Sequence, residues 1–137
     1  MPTTPNSIIT PQTAISRTAI LTTADIAWNA PVNVVNLLLA ADNVNGFRGT
    51  RLYAIPRVAI ATANNIALYE YTGTTYTLID SALMAVSTPT ASVANAKTDF
   101  GYSEDVPLIV RAGYGLVAAC GLSAANGIVV KLEGGLL

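Results

Sequence analysis

Three carboxylates, Asp99, Glu104 and Asp105, form the densest group of charge in the chain. Carboxylates in one loop could ligate Ca²⁺, and two of them flanking a cleft could act as the acid and base of a hydrolase. The segment lacks the regular Asp-x-Asp-x-Asp spacing of calcium loops. We therefore interpret these residues as solvated loop carboxylates, and the sequence predicts no metal and no cofactor.

The arginines Arg48, Arg51 and Arg57 form the only basic group. Beside nearby aromatic side chains they could contact a nucleic-acid backbone. A net charge of −1 argues against that, because nucleic acid rewards clustered basic charge. Arginine is enriched at protein interfaces. We therefore expect these residues to meet carboxylates of a neighbouring subunit, with Arg51 or Arg57 opposite Glu104 or Asp105.

The sequence contains no histidine and one cysteine, Cys120, within an apolar run. Without histidine, neither a Ser-His-Asp triad nor a Cys-His pair can be built, and a structural zinc site lacks its ligands. Only 11% of the residues are charged, against about a quarter in an average domain, and 52% are apolar. We expect a protein that is not an enzyme and whose surface is largely covered by copies of itself or by a partner.

Short apolar segments separated by turn residues predict the elements that position these groups. Pieces of this length at intervals of about 8–12 residues are typical of an antiparallel β-sandwich or jelly roll. In residues 32–41 a strand is favoured over a helix. A hairpin with Gly73 at its turn is predicted from residues 66–72 and 75–79. The last strands are predicted at residues 106–111, 115–120 and 127–133.

Three local features sharpen this interpretation. Along residues 51–57 the side chains alternate, with Leu52 on one face and Arg51 on the other, while Pro56 predicts an edge strand or a bulge. Asn126-Gly127 predicts a hairpin between the last two strands. Residues 112–130 carry no charge and are long enough to span a bilayer. Their glycines and central turn residues favour two strands, so no membrane contact is expected.

Residues 1–15 predict an extended N-terminal arm ahead of a single domain at residues 16–137. Pro2, Pro5 and Pro11 oppose a helix, and no basic segment precedes an apolar stretch as in a secretory signal. Ile8 and Ile9 could anchor the arm on a neighbouring subunit. The alternative is a frayed terminus.

Several segments resemble small structural proteins of tailed bacteriophages and prophages. They are Arg51-Leu-Tyr-Ala-Ile-Pro-Arg57, Thr72-Gly-Thr-Thr-Tyr-Thr-Leu-Ile-Asp80, Thr98-Asp-Phe-Gly-Tyr-Ser-Glu-Asp105, and the region from Leu108 to Gly135. The resemblance runs over roughly residues 45 to 135 and contains no catalytic signature. It implies a component of the virion, made in the cytoplasm of a bacterial host.

Among virion components, the apolar and charge-poor sequence best suits a capsid decoration (cement) protein on the shell surface. We expect a homo-oligomer, specifically a trimer, in contact with the major capsid protein. One alternative is a tail, connector or fibre-associated protein. Another is a carbohydrate-binding module whose rings stack on sugars, with the candidates Trp28, Tyr53, Tyr69, Tyr71 and Tyr76.

Overall fold

The computed structural model describes residues 12–25 and 27–137. Within these residues the regular structure is nine β-strands and one short 3₁₀ turn at Ala40–Asp42, with no α-helix. The strands are β1 (Thr13–Leu21), β2 (Val35–Leu38), β3 (Phe47–Pro56), β4 (Asn64–Thr72), β5 (Thr75–Met84), β6 (Thr98–Asp99), β7 (Leu108–Val110), β8 (Gly115–Cys120) and β9 (Ile128–Leu136). No helix in this part of the chain is long and apolar enough to cross a membrane.

The strands form two antiparallel sheets that pack face to face, which confirms the predicted β-sandwich. Sheet I has the order β1-β9-β3, and both β6 and β7 pair with the far side of β3. Sheet II has the order β2-β8-β4-β5. Buried side chains from both sheets make one core, which includes Phe47, Leu52, Leu68, Leu116 and Leu132.

The pairings nest inside one another like a long folded hairpin. The innermost pair is β4 with β5, followed outward by β3 with β6 and β7, β2 with β8, and β1 with β9. Two further pairings, β3 with β9 and β4 with β8, join these ribbons into the two sheets. Six of the eight connections between these strands therefore cross from one sheet to the other, whereas the β4–β5 turn stays within sheet II and the β6–β7 loop within sheet I.

Alternation along β3 sets its two faces. Leu52, Ala54 and Pro56 are buried, whereas Arg51 is exposed, as the sequence predicts. The prediction that Pro56 marks an edge strand or bulge is wrong, because β3 is an internal strand whose bulge lies between Gly49 and Arg51. Pro56 is tolerated because β6 pairs only with Tyr53 and Ala54, so no neighbouring strand needs a backbone donor at Pro56 on that side.

The β4–β5 hairpin is confirmed, with Gly73 at φ +58° in its turn. Tyr71 and Tyr76 are cross-strand partners whose ring centroids lie 5.7 Å apart. In residues 32–41 the favoured strand is confirmed for β2, and the chain then turns through the 3₁₀ segment. Residues 12–15, assigned to the arm from sequence, lie partly in β1, because β1 already pairs with Leu136 at Thr13.

The predicted hairpin between the last two strands is wrong. Gly127 does occupy a turn, at φ +88°, but this turn carries the chain from β8 in sheet II to β9 in sheet I. The reason lies in β8, of which all six residues are buried. A strand buried on both faces needs an internal position, and β8 takes it between β2 and β4.

Candidate assembly surface

The carboxylates considered for metal binding do not come together into a site. Asp99 lies in β6 and accepts a hydrogen bond from the Gly101 backbone N–H at 2.8 Å, which closes a tight turn. Glu104 and Asp105 are exposed in the loop before β7. Within residues 12–25 and 27–137, no group of three or more His, Cys, Asp or Glu side chains could hold a metal ion.

The basic and acidic groups do meet, but within one chain. Arg48 Nη1 lies 3.3 Å from Glu104 Oε2, and Arg48 Nη2 donates to the Glu104 carbonyl oxygen at 2.5 Å. The pairing of Ile109 with Arg48 brings the loop back to the start of β3. Arg48 and Glu104 therefore fasten this loop to its own sheet, and the expected contact with a neighbouring subunit stays a prediction.

The other predicted interface residues lie apart from this pair. The Arg51 guanidinium lies 4.6 Å from the centroid of the Tyr53 ring, and Lys97 Nζ lies 5.0 Å from the same ring. Arg57 follows β3, and its backbone N–H donates to the Gly127 carbonyl oxygen at 3.3 Å. No ion pair joins Arg51 or Arg57 to Glu104 or Asp105 in the described part of the chain. Ile8 and Ile9 lie outside the described residues.

The outer face of sheet I is charged. Its central row places Arg51 of β3 opposite Glu133 of β9, and the next row places Tyr53 between Lys131 and Asp99. Lys131 Nζ also lies 3.4 Å from Glu133 Oε1 along the same strand. Charges of both signs are interspersed on this surface, as is usual for a face that stays in water.

The outer face of sheet II, which we call the neutral face, carries no charged strand residue. Its central part is formed by the buried side chains Ala67, Tyr69, Val117 and Ala119. The strands of sheet II contain only two charged residues, Glu70 and Asp80. Each alternates onto the opposite side, where Glu70 Oε1 lies 3.4 Å from Arg111 Nη2, and Asp80 accepts a hydrogen bond from the Tyr102 hydroxyl at 2.6 Å.

The connection between β1 and β2 covers part of the neutral face. Trp28, from this connection, packs against the Tyr69 cluster and close to Gly121. Tyr69 is 0% exposed, and its hydroxyl has no hydrogen-bond partner among the described residues. Burial, followed by the nearby charge of Asp25, raises the pKa of Tyr69. Trp28 and Tyr69 thus form a second, small core outside the main one.

One buried carboxylate holds this connection in place. Asp25 is 6% exposed and accepts hydrogen bonds from the backbone N–H groups of Ala27 at 3.1 Å, Asn33 at 2.8 Å, and Val32. Its own N–H donates to the Cys120 carbonyl oxygen at 2.7 Å at the end of β8. Burial alone would raise the pKa of Asp25, but the three backbone donors outweigh it and lower that pKa.

The rest of the neutral face is open and apolar. Leu78 and Leu83 of β5 are exposed by 43% and 66%, and Val86 just beyond β5 is exposed by 60%. Leu78 is the cross-strand partner of Tyr69, so the exposed patch continues directly from the covered one. The neutral face therefore has one half closed by Trp28 and one half along β5 that the described residues leave uncovered.

Four of the five candidate stacking residues lie together in the cluster around Tyr69 on the neutral face. Tyr69 is fully buried, and two cations lie near the ring of Tyr53. Tyr71 packs against Tyr76, and its hydroxyl accepts a hydrogen bond from the Ala40 N–H at 3.1 Å. These contacts engage the rings within the chain, and stacking on sugars stays a prediction.

A pocket of about 310 Å³ lies between the loop after β3 and the turn before β9. Its volume is at the lower limit for ligand pockets. No ionisable side chain lines it (Val58, Ala59, Ile60, Ala61, Thr62, Asn64, Leu122, Ser123, Ala124, Ala125, Asn126 and Gly127). The pocket offers no group that could exchange a proton near neutral pH.

Asp25 was missed from the sequence, and Trp28 was considered only as a candidate for stacking on sugars. The available signal was an isolated acid within a neutral stretch, three residues before the only tryptophan. Cys120, within its apolar run, is buried, and burial raises the pKa of its thiol. No protein-family model matches this chain, and a search of curated proteins finds no relative.

Proposed function

We propose that this protein is a non-enzymatic structural subunit that assembles with copies of itself through the neutral face. The observation that carries the proposal is the difference between the two outer faces of the sandwich. One face intersperses Arg51, Lys131, Glu133 and Asp99, and the other has no charged strand residue. Contiguous apolar surface that is larger than scattered single residues is typical of interaction sites.

The exposed apolar side chains of the neutral face favour contact with a second copy of the protein over exposure to water. Leu78, Leu83 and Val86 lie along one margin, next to the half-buried Tyr76. Burying them against a second copy removes apolar area from water without removing any charge from water, so no desolvation penalty for ions opposes contact. A net charge of −1 adds little repulsion between copies.

We further propose that the sandwich is a jelly roll. The support is the nesting of the four ribbons, β4 with β5 innermost and β1 with β9 outermost. A long hairpin of that kind, wrapped so that successive ribbons lie side by side in two sheets, is the jelly-roll arrangement. In this description β6 and β7 act as one interrupted strand, because both pair with β3.

The resemblance of residues 45–135 to virion proteins of tailed phages gives the proposal its specific form. In that form the protein is a trimer that decorates the capsid surface and contacts the major capsid protein. A shell-stabilising role needs apolar contact area and β-sheet rigidity, and it needs no titrating site. A tail or connector position would use the same surface, and copy number separates the two: hundreds of copies per particle for decoration, and about a dozen or fewer for a connector.

Sedimentation of the purified full chain over a concentration series tests the assembly proposal. We expect reversible association, and we expect the association constant to change by less than about threefold between 0.1 and 1 M NaCl, because the contact contains no charge to screen. A protein that stays monomeric at all concentrations would contradict the proposal. So would an oligomer that dissociates in high salt, since that would indicate the charged face. The copy number of the protein in purified particles then tests the virion assignment separately.

A further inference from the structure

Sheet II ends on β5, a ten-residue strand with an open side. β5 pairs with β4 from Thr75 to Met84, and no backbone hydrogen bond reaches its other side from the described residues. One local bond is formed, from the Ser81 N–H to Asp80 Oδ1 at 2.8 Å. The remaining backbone donors and acceptors of this side are available to another strand.

The other margins of the sandwich are protected in ways that β5 is not. β2, at the opposite margin of sheet II, is only four residues long, and β6 and β7 are only two and three residues long. Arg17 of β1 lies on the core-facing side, opposite Leu132, and its guanidinium reaches Asp42 at 3.4 Å, which places a charge at that edge. Short strands and inward-pointing charges are common protections against unwanted pairing. In β5, residues 75–79 contain no charge and no proline.

A bulge divides β5 into two parts. Leu78 pairs with Tyr69 and Asp80 pairs with Leu68, so Ile79 is the extra residue. Beyond the bulge, Asp80 is engaged by the Tyr102 hydroxyl and by the Ser81 N–H. Before it, Thr75, Thr77 and Leu78 are exposed. The accessible pairing segment is therefore residues 75–79, at the margin of the neutral face.

We infer that residues 6–10 of a second copy add a strand to residues 75–79 of β5. This inference rests on the proposed self-assembly and names one contact within it. Residues 1–11 lie outside the described residues, and the chain carries no charge before Arg17. Pro5 and Pro11 enclose the sequence Asn-Ser-Ile-Ile-Thr, five residues that each have a backbone N–H. This apolar segment of five residues therefore matches residues 75–79 of β5 both in length and in its lack of charged side chains.

Strand order favours another copy over the chain's own N-terminus. β1 lies at one margin of sheet I, whereas β5 lies at the margin of sheet II that is next to β6, on the far side of the sandwich. An N-terminus that leaves β1 at Gln12 would have to cross the whole molecule to reach its own β5. Strand addition to an exposed edge needs only a neighbour whose edge lies beside that N-terminus.

Mixed disulfide trapping tests the pairing directly in the full chain. One protein carries Ile9→Cys and the other carries Thr77→Cys or Leu78→Cys, which sample the two faces of β5. All carry Cys120→Ala. We expect covalent heterodimers between the two chains at a yield at least fivefold above matched mixtures in which Thr18→Cys or Ala19→Cys of β1 replaces the β5 cysteine. Equal yields would overturn the inference. So would a chain that carries both Ile9→Cys and Leu78→Cys and forms its disulfide only within itself.

Charge insertion separates this inference from the proposed function. We expect the double variant Ile8→Lys/Ile9→Lys to weaken self-association at least tenfold, and the control Thr3→Lys/Thr4→Lys, which adds the same charge nearer the terminus, to change it less than threefold. If both variants associate like the unchanged protein, the strand addition is wrong and assembly through the neutral face stands. If the unchanged protein itself does not associate, the proposed function is wrong.

Discussion

The two outer faces of this sandwich are built from the same kind of strand, yet they have opposite surfaces. On sheet I, Tyr53 of β3 lies among Arg51, Lys97 and Lys131 and stays partly in water. On sheet II, Tyr69 of β4 lies under Trp28 and is 0% exposed. Alternation places one residue in two on an outer face in both sheets. The residues beside each central ring therefore determine whether that ring stays in contact with water or is covered by protein.

The largest expected effect comes from removing one tyrosine from each face. Tyr69→Ala should lower the free energy of unfolding by about 3–5 kcal/mol, because it leaves a cavity under Trp28. Tyr53→Ala should cost about 1 kcal/mol, since that ring is partly exposed and its cation contacts are worth little in water. Chemical denaturation of both variants measures the contrast.

Tyr69→Phe serves as the control for this pair. The Tyr69 hydroxyl is buried without a hydrogen-bond partner among the described residues, so its removal should leave the stability unchanged or slightly higher. Equal losses for the two alanine variants would show that the faces do not differ in the way described.

The next effect concerns the carboxylate that holds Trp28 over the neutral face. Asp25→Asn should lower stability at neutral pH by about 2–4 kcal/mol, because a charged acceptor of three backbone N–H groups is replaced by a neutral amide. Thermal denaturation measures this loss, and Asp105→Asn, in an exposed loop, should change stability by less than about 0.5 kcal/mol.

The same substitution changes the pH dependence. The folded-state pKa of Asp25 is lowered, so its contribution is complete above the unfolded-state pKa of about 4 and is lost as the pH falls through the folded-state value. The unchanged protein should therefore lose stability below about pH 4 more steeply than Asp25→Asn does. Parallel pH profiles for the two proteins would contradict the assigned role of this carboxylate.

The smallest effect is expected on the charged side of the molecule. Glu104→Gln removes the ion pair with Arg48, in which Glu104 is 81% exposed, and should cost less than about 1 kcal/mol. Because both residues belong to one chain, self-association should not change. A loss of association in sedimentation would indicate that Glu104 also contacts a neighbour.

Much of the local structure could be predicted from the sequence. The alternation in residues 51–57 indicated which side of β3 is buried, and Gly73 between two tyrosine-rich segments indicated the β4–β5 hairpin. Both features depend on residues that are close in the chain. Asn126-Gly127 also indicated a turn, but it did not indicate which strands pair with each other. β8 is buried on both faces, and this burial determines that its neighbours are β2 and β4.

The surface could be predicted less well, because it depends on contacts between distant residues. Arg48 meets Glu104 since β7 returns to the start of β3, and no pattern of charge along the chain distinguishes this from a contact between subunits. Asp25 was missed for a similar reason. Its role follows from the three backbone N–H groups that donate to its carboxylate. The positions of backbone groups depend on how the connection folds, and residue types alone do not give them.

We propose that the neutral face, and not the charged face, mediates assembly. Leu83→Lys and Ile109→Lys test it most directly, because the two side chains are exposed by 66% and 59% and belong to strands of sheet II and sheet I, respectively. Sedimentation of both variants should show association weakened at least tenfold for Leu83→Lys and changed less than threefold for Ile109→Lys. Equal association of the two variants, or a larger loss for Ile109→Lys, would contradict the account.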